Sequence, residues 1–292
     1  MNDIATTADE QAVVFDCNGD RLVGVVHGAG AAEQGVLIVV GGPQYRVGSH
    51  RQFLLLARYL AAQGVPVMRF DYRGMGDSDG AIRRFDSVDD DIRAAMNSFF
   101  HHSPGLKSVM LWGLCDAASA ALLYAHRDVR VERLVLLNPW VHTEIAEARA
   151  YLRHYYVRRL FDRGLWRKLL RGEFKFRESI ASILGFIKTS RSASNTETAV
   201  AAEACGEDYI ERMHGGLTRF AGPVGIILSG DDLTAAEFRD LVERSQKWKK
   251  LMRSKGVELH HIPDANHTFS REAWRDEVAR QTLYWVKGQL PE

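Results

Sequence analysis

The chain has 292 residues, 46% of them hydrophobic, with 38 basic against 37 acidic side chains and a formal charge of +1. That length and apolar share suffice for one large α/β core carrying an insertion, and the balanced charge removes any global argument for nucleic acid as a partner. The three cysteines, Cys17, Cys115 and Cys205, form no C-x-x-C pair and have no histidine at ligand spacing, which argues against a disulfide framework or a zinc site; no metal or cofactor is expected.

In chain order, the opening MNDIATTADE is acidic and polar where a targeting segment would be basic and then apolar. No later apolar run approaches the roughly 20 residues that span a bilayer. A cytoplasmic protein is the expectation. "AVVFDC" (12–17) and "RLVGVVH" (21–27) flank Asn18-Gly19-Asp20, a hairpin signal. "GVLIVV" (35–40) is continuously apolar, as a strand buried on both faces should be, and ends in Gly41-Gly42-Pro43. "SHRQFLLLARYLAAQG" opens with Ser49 and Gln52 at capping-box spacing and closes on Gly64, predicting a helix with both ends marked. "VPVMRFDY" reads as a strand and "RGMGDSDG" as a turn, followed by a helix entered through Ser87 and Asp89 to Asp91. Next come the strand "SVMLWGL", the helix "DAASAALLYAH" and the strand "VERLVLLN". Strands alternating with helices predict right-handed crossovers and a mostly parallel sheet, led by an antiparallel hairpin.

After Asn138-Pro139-Trp140 the rhythm stops. Residues 141–218 contain no strand-like run and read as a helical cap, leaving 1–140 and 219–292 as the core. Between Arg149 and Arg191 the basic residues of this cap, from Arg153 to Arg177, outnumber Asp162, Glu173 and Glu178. Such a run is either a solvated face or a lid favouring an anionic acyl donor, an acidic saccharide or an anionic membrane surface. The sheet rhythm then resumes with "PVGIILSG" (223–230), one long helix "TAAEFRDLVERSQKWKKLMRSKG", the strand "VELHHIP" and the closing helix "SREAWRDEVARQTLYWVKGQL", giving eight strands in all.

Cys115 stands at the junction of a buried strand and a helix, in Gly113-Leu114-Cys115-Asp116-Ala117. A nucleophile on so sharp a turn needs small residues two positions before and after it, and Gly113 and Ala117 supply them. The helix N-terminus also favours the thiolate. A small buried hydrophobe is the plainer use of a lone cysteine. Downstream, "LSGDDLTAAEF" offers Asp231 and Asp232 as acids directly after a strand, helix capping being the competing use of either. His267, in "IPDANHTFS" after the last strand, is the candidate base; His126 and His154 sit on helix faces or in the basic insertion and read as solvated. Oxyanion donors are expected from the N–H of Asp116 and from the loop Val40-Gly41-Gly42-Pro43-Gln44. Pro43 has no N–H, so Gly42 comes first and Gln44 is the reserve. Gln44, Tyr45, Arg46, His50 and Arg51 are candidates for lining a substrate pocket, with helix capping and plain surface as the alternative. In "DYRGMGDSDG", Gly74, Gly76 and Gly80 suit tight turns and Asp77 or Asp79 suits local capping, so the motif reads as structural.

These motifs together resemble the α/β-hydrolase superfamily. More closely, "GGPQYRVGSHRQF", "RFDYRGMGDSDG", "LWGLCDAASAAL" and "LSGDDLTAAEF" resemble the type 1 hydrolases associated with the exosortase A system, found beside exopolysaccharide biosynthesis genes in bacteria. The resemblance implies an α/β-hydrolase fold with helices on both faces of an eight-stranded sheet and a helical cap after strand six. It also implies a Cys115–His267–Asp232 triad, with Asp231 second, acting on a small-molecule or saccharide-linked acyl substrate. Two departures stand out: Val40 replaces a His common in relatives, and the nucleophile is Cys, as in dienelactone hydrolases and polyhydroxyalkanoate synthases, where most relatives have Ser. A thiol attacks esters and thioesters readily but is expelled by an amine, which disfavours amides. Transfer of the acyl group from the same acyl-cysteine to an alcohol or amine is the second reading, and a non-catalytic scaffold the third.

Overall fold

The computed structural model describes residues 10–28, 32–42, 44–142 and 209–288. The basic run, Pro43, Cys205 and most of the cap expected over 141–218 lie outside these residues. The chain divides into two units, Met1–Val141 with Arg212–Glu292, and His142–Glu211. In the second unit the Tyr209 hydroxyl donates to the His142 carbonyl at 2.9 Å.

The first unit is built on eight strands: β1 (Glu10–Cys17), β2 (Asp20–His27), β3 (Gln34–Val39), β4 (Val67–Asp71), β5 (Ser108–Leu114), β6 (Val131–Leu137), β7 (Val224–Ser229) and β8 (Glu258–Ile262). Their order in the sheet is β1-β2-β4-β3-β5-β6-β7-β8. β2 runs antiparallel to β1 and β4, and every other pairing is parallel. The β1–β2 turn places Asn18 and Gly19 at φ 56° and 90°, the left-handed pair that a two-residue hairpin requires. β5 is buried along its whole length, which explains why its sequence is a continuous apolar run instead of an alternating one.

Among the described residues, the helices of this unit include α1 (Gln52–Ala62), α2 (Asp89–His102), α3 (Asp116–Tyr124), α4 (Leu233–Arg244), α5 (Gln246–Ser254) and α6 (Glu272–Lys287). Val36, Ile38, Met110, Trp112, Leu114 and Val135 turn toward α1 and α6, where they meet Phe53, Leu56, Leu60, Leu283 and Val286 in one core. Alternate residues on the same strands, Leu37, Leu111 and Leu134, are buried on the opposite side, where α2 packs against α3. The Trp112 indole packs edge-on to Phe53 and donates to Thr282 Oγ1 at 3.2 Å, so the one polar atom of this large side chain is paired.

Two local expectations are corrected. Ser49 and Gln52 form no capping box: Ser49 lies in a short 3-10 turn, and α1 starts after His50 and Arg51, both left-handed, without a side-chain cap. Its first donors are met by backbone instead, since the N–H groups of Phe53 and Leu54 both reach the Val47 carbonyl. The long helix expected after β7 is two helices that meet at an extended Ser245 (φ −89°, ψ 111°). Trp248, just past the break, is fully buried and edge-on to both Phe238 and His214.

Candidate active site

The C-terminal ends of the parallel strands carry the site. After β5 the backbone turns through Cys115 at φ 63° and ψ −125°, a conformation strained for any residue with a Cβ. Its surroundings fix it there: Cys115 N–H donates to the Leu137 carbonyl of β6 at 2.8 Å, and the Cys115 carbonyl accepts from Ala118 at 3.0 Å and Trp140 at 3.2 Å. A Cβ on Gly113 would stand 2.6 Å from the Ala117 carbonyl, which is why the position two residues before the cysteine is glycine. The thiol is half-buried at the head of α3.

His267 lies in the loop between β8 and α6. Asp264 and Phe269 bend this loop at φ 59° and 49°, and Asn266 Oδ1 accepts the Ser270 N–H at 3.0 Å. His267 Nδ1 stands 3.0 Å from Asp232 Oδ2, and the imidazole is close enough to Cys115 for a side-chain hydrogen bond. Burial works against a charge on the ring, but the bonds to Asp232 and Cys115 and the charges of both outweigh it, and the His267 pKa is pushed up to about 10. The same Asp232 oxygen accepts from Ala235 N–H at 3.0 Å, so this carboxylate caps α4 and orients the imidazole together. Asp231 is exposed and uses its N–H on the Ala265 carbonyl at 2.9 Å.

One residue of this constellation escaped the sequence reading. Asn138, fully buried and left-handed (φ 43°) at the end of β6, accepts from Ser229 N–H at 2.9 Å. Its amide donates to Ser229 Oγ at 2.6 Å and to the His267 carbonyl at 3.2 Å, and Ser229 Oγ donates to the Asn266 carbonyl at 3.1 Å. A single side chain thus ties β6, β7 and the histidine loop together. Asn-Pro at a strand end looks like ordinary loop punctuation, and only the adjacency of three distant segments reveals the rest.

The expected oxyanion donors face an occupant. Gly42 (φ 59°) and Asp116 were singled out for their N–H groups, but those groups are already engaged by the Asp116 side chain. Asp116 Oδ2 accepts from Gly42 N–H at 2.7 Å and Oδ1 from Ala117 N–H at 2.9 Å, with the residue's own N–H directed at the same carboxylate. Burial pushes the Asp116 carboxyl up, against these three amides and the His267 charge, which favour its ionised form. The reserve donor, Gln44, directs its side-chain oxygen to Ser49 N–H at 3.4 Å.

Of the proposed pocket residues, Arg46 is committed elsewhere: its guanidinium pairs with Asp71 and, at 2.7 Å, with Asp77, and it lies over the Tyr45 ring. Asp71, fully buried, also accepts Arg46 N–H at 2.6 Å and Asp77 N–H at 3.2 Å. The "DYRGMGDSDG" turn thereby clamps the loop that follows Gly42. Its Arg73 makes a second buried pair, with Asp91 at the start of α2. Tyr45 is 43% exposed, and His50 and Arg51 are exposed at the entry to α1. Among the described residues, no cluster of three or more His, Cys, Asp or Glu side chains is arranged to hold a metal ion, and no helix is long and apolar enough to cross a membrane.

With an elbow, an acid and a histidine at the ends of β5, β7 and β8, family comparison becomes informative. The family model described as "Serine aminopeptidase, S33" matches residues 32–273. The chain belongs to this family. Among solved structures, this S33-family hydrolase is similar to the esterase Pf2001 of Pyrococcus furiosus, at 15% identity, with 97% of this chain and 94% of that one covered and a TM-score of 0.64. It is also similar to a dienelactone hydrolase from Anabaena variabilis (17% identity, 98% and 100% covered, TM-score 0.59). A third is Est1E from Butyrivibrio proteoclasticus with ferulic acid bound (16% identity, 95% and 100% covered, TM-score 0.61). Identities this low establish the α/β-hydrolase fold and leave the chemistry to the site. No curated protein matches the sequence. The family is named for a serine, whereas the elbow here carries Cys115.

Proposed function

We propose that this α/β hydrolase cleaves an ester or thioester through Cys115, His267 and Asp232, by way of an acyl-thioester. The observation that carries the reading is the imidazole of His267, bonded 3.0 Å from Asp232 on one side and facing the sulfur of the strained elbow on the other. The names of two solved neighbours, an esterase and a dienelactone hydrolase, support an ester substrate.

In the resting pair the imidazole holds the proton and Cys115 is the thiolate. The sulfur attacks the acyl carbon, a C–S bond forms, and the carbonyl π electrons move onto oxygen, to be met by the amides of Gly42 and Asp116. Collapse breaks the bond to the leaving alkoxide or thiolate, which takes the proton from His267. The neutral imidazole then removes a proton from water as its oxygen attacks the thioester. The second collapse expels the Cys115 thiolate and releases the acid, restoring the starting pair. Asp232 holds the imidazole in one tautomer throughout. Gln44 and Tyr45 border the acyl group beyond Gly42, and a saccharide-linked acyl donor fits the resemblance to exopolysaccharide-associated hydrolases.

The test is a panel of p-nitrophenyl esters and acyl thioesters with intact-mass detection of the adduct, in a Cys205→Ser background that leaves Cys115 and the buried Cys17 as the only thiols. Turnover should coincide with an acyl adduct on Cys115. Cys115→Ala should abolish both; turnover surviving that change sinks the assignment.

A further inference from the structure

The Asp116 carboxylate lies where the proposed chemistry puts a negative oxygen. Three amides converge on it, from Gly42 in the loop after β3 and from Asp116 and Ala117 in the first turn of α3. These are the donors that an α/β-hydrolase elbow offers to a tetrahedral intermediate, together with one neighbour. The space is shaped for this occupant: a Cβ on Gly41 would stand 2.0 Å from Asp116 Oδ1 and 2.8 Å from Ala117 N, so the absent side chain at 41 makes room for the carboxylate. We propose that Asp116 is a built-in occupant of the oxyanion site and the residue that selects acyl donors by their charge. This rests on the Cys115 reading above.

The physical argument is one of competing charges. A carboxylate bonded to amides at 2.7 and 2.9 Å is held by charge-assisted bonds, and an ester carbonyl, being neutral, does not displace it cheaply. If it stays, the oxyanion forms against a negative neighbour in a partly buried site. Acylation therefore requires the side chain to swing away and give its amides to the substrate oxygen. The displaced carboxylate then stands beside the incoming acyl chain, still next to the nucleophile in sequence. A donor with an ammonium group near its carbonyl offers the carboxylate a new partner and offsets the loss. A neutral donor offers none, and an anionic one adds repulsion. The native order of reactivity is cationic, then neutral, then anionic. That order is opposite to the one a basic lid over 153–177 would impose, so one series of substrates separates the two.

The experiment measures Cys115 acylation by three p-nitrophenyl esters of similar length, 4-aminobutyrate, butyrate and hemisuccinate, in the Cys205→Ser background, for the native enzyme, Asp116→Ala and Asp116→Asn. Alkylation by iodoacetamide, a displacement that needs no oxyanion site, is followed in parallel. Asp116→Ala should acylate with butyrate about tenfold or more faster than the native enzyme and lose the charge order, at an unchanged alkylation rate. Asp116→Asn, whose neutral amide oxygen can still accept from Gly42 but without charge assistance, should acylate with butyrate at a rate between the native enzyme and Asp116→Ala and lose the charge order. Butyrate acylation of Asp116→Ala no faster than native, or a charge order that survives both substitutions, overturns the proposal. A native Cys115 that alkylates but is never acylated, with Asp116→Ala equally inert, removes the nucleophile reading and this one with it.

Discussion

His267 holds the proton in the proposed mechanism, and the same proton ties stability to pH. Its pKa is lifted from 6.5 to about 10, so the folded chain holds a proton that the unfolded chain releases near 6.5. The stability this charge supplies is complete below pH 6.5 and is lost as pH rises through about 10. Urea unfolding of the native protein and His267→Gln across that window should show the native advantage shrinking steadily. A constant difference in stability would mean that the imidazole carries no such proton. At this scale the sequence was informative where chain order and strand ends determine position, as for Cys115, Asp232 and His267. Asp116 was singled out for its amide alone, because nothing in a sequence says which way a side chain will rotate. Cys17 is the contrast: burial and then the charge of Asp91 push its thiol up to about 11, and reagents that label Cys115 should leave it untouched.

At the scale of elements, strand and helix identities followed from hydrophobic period, and their ends did not. The first turn of α1 is capped by the Val47 carbonyl across two left-handed residues, and past the α4–α5 break Trp248 is buried against His214, which is distant in sequence. Asn138 shows the same limit with a functional consequence. Replacing it with alanine leaves the buried Ser229 N–H and the His267 carbonyl without their partner, a loss of about 1–3 kcal/mol for each unsatisfied group. Asn138→Ala should lower the urea midpoint and reduce kcat with little change in KM, since the histidine loop, not the acyl site, loses its tether. Loss of stability with kcat untouched would make Asn138 structural only; rescue of kcat by Asn138→Gln would show that the amide, not its reach, is what counts.

For the molecule as a whole, alternation of strands with helices was enough to predict the sheet and its leading hairpin, whereas the charges that join its strands were invisible. His27, on β2, is fully buried between β1 and β4: Arg69 Nε donates to its Nε2 at 2.9 Å, and Glu10 lies 3.6 Å from its Nδ1. Arg58 of α1 holds Glu10 at 2.6 Å, and Arg69 reaches back to the Arg46 carbonyl at 3.1 Å, in the loop that follows Gly42. One chain of contacts thus runs from the edge hairpin to the rim of the site. Burial, then the Arg69 charge, push the His27 pKa down to about 4, so the ring is neutral in the fold. The unfolded chain takes up a proton near 6.5 that the folded chain refuses until about 4, and stability falls as pH drops through that interval. The slope is bounded at about 1.4 kcal/mol for each pH unit. His27→Gln keeps an oxygen for Arg69 but cannot titrate, and its unfolding free energy should decline less steeply between pH 6.5 and 4 than the native protein's, the remaining slope coming from His126 and His261, which burial also holds down. Equal slopes in the two proteins would place the acid sensitivity elsewhere. If the slope is reduced, activity recovered after an acid pulse should be higher in the variant, because the same contacts brace the loop that carries Gly42.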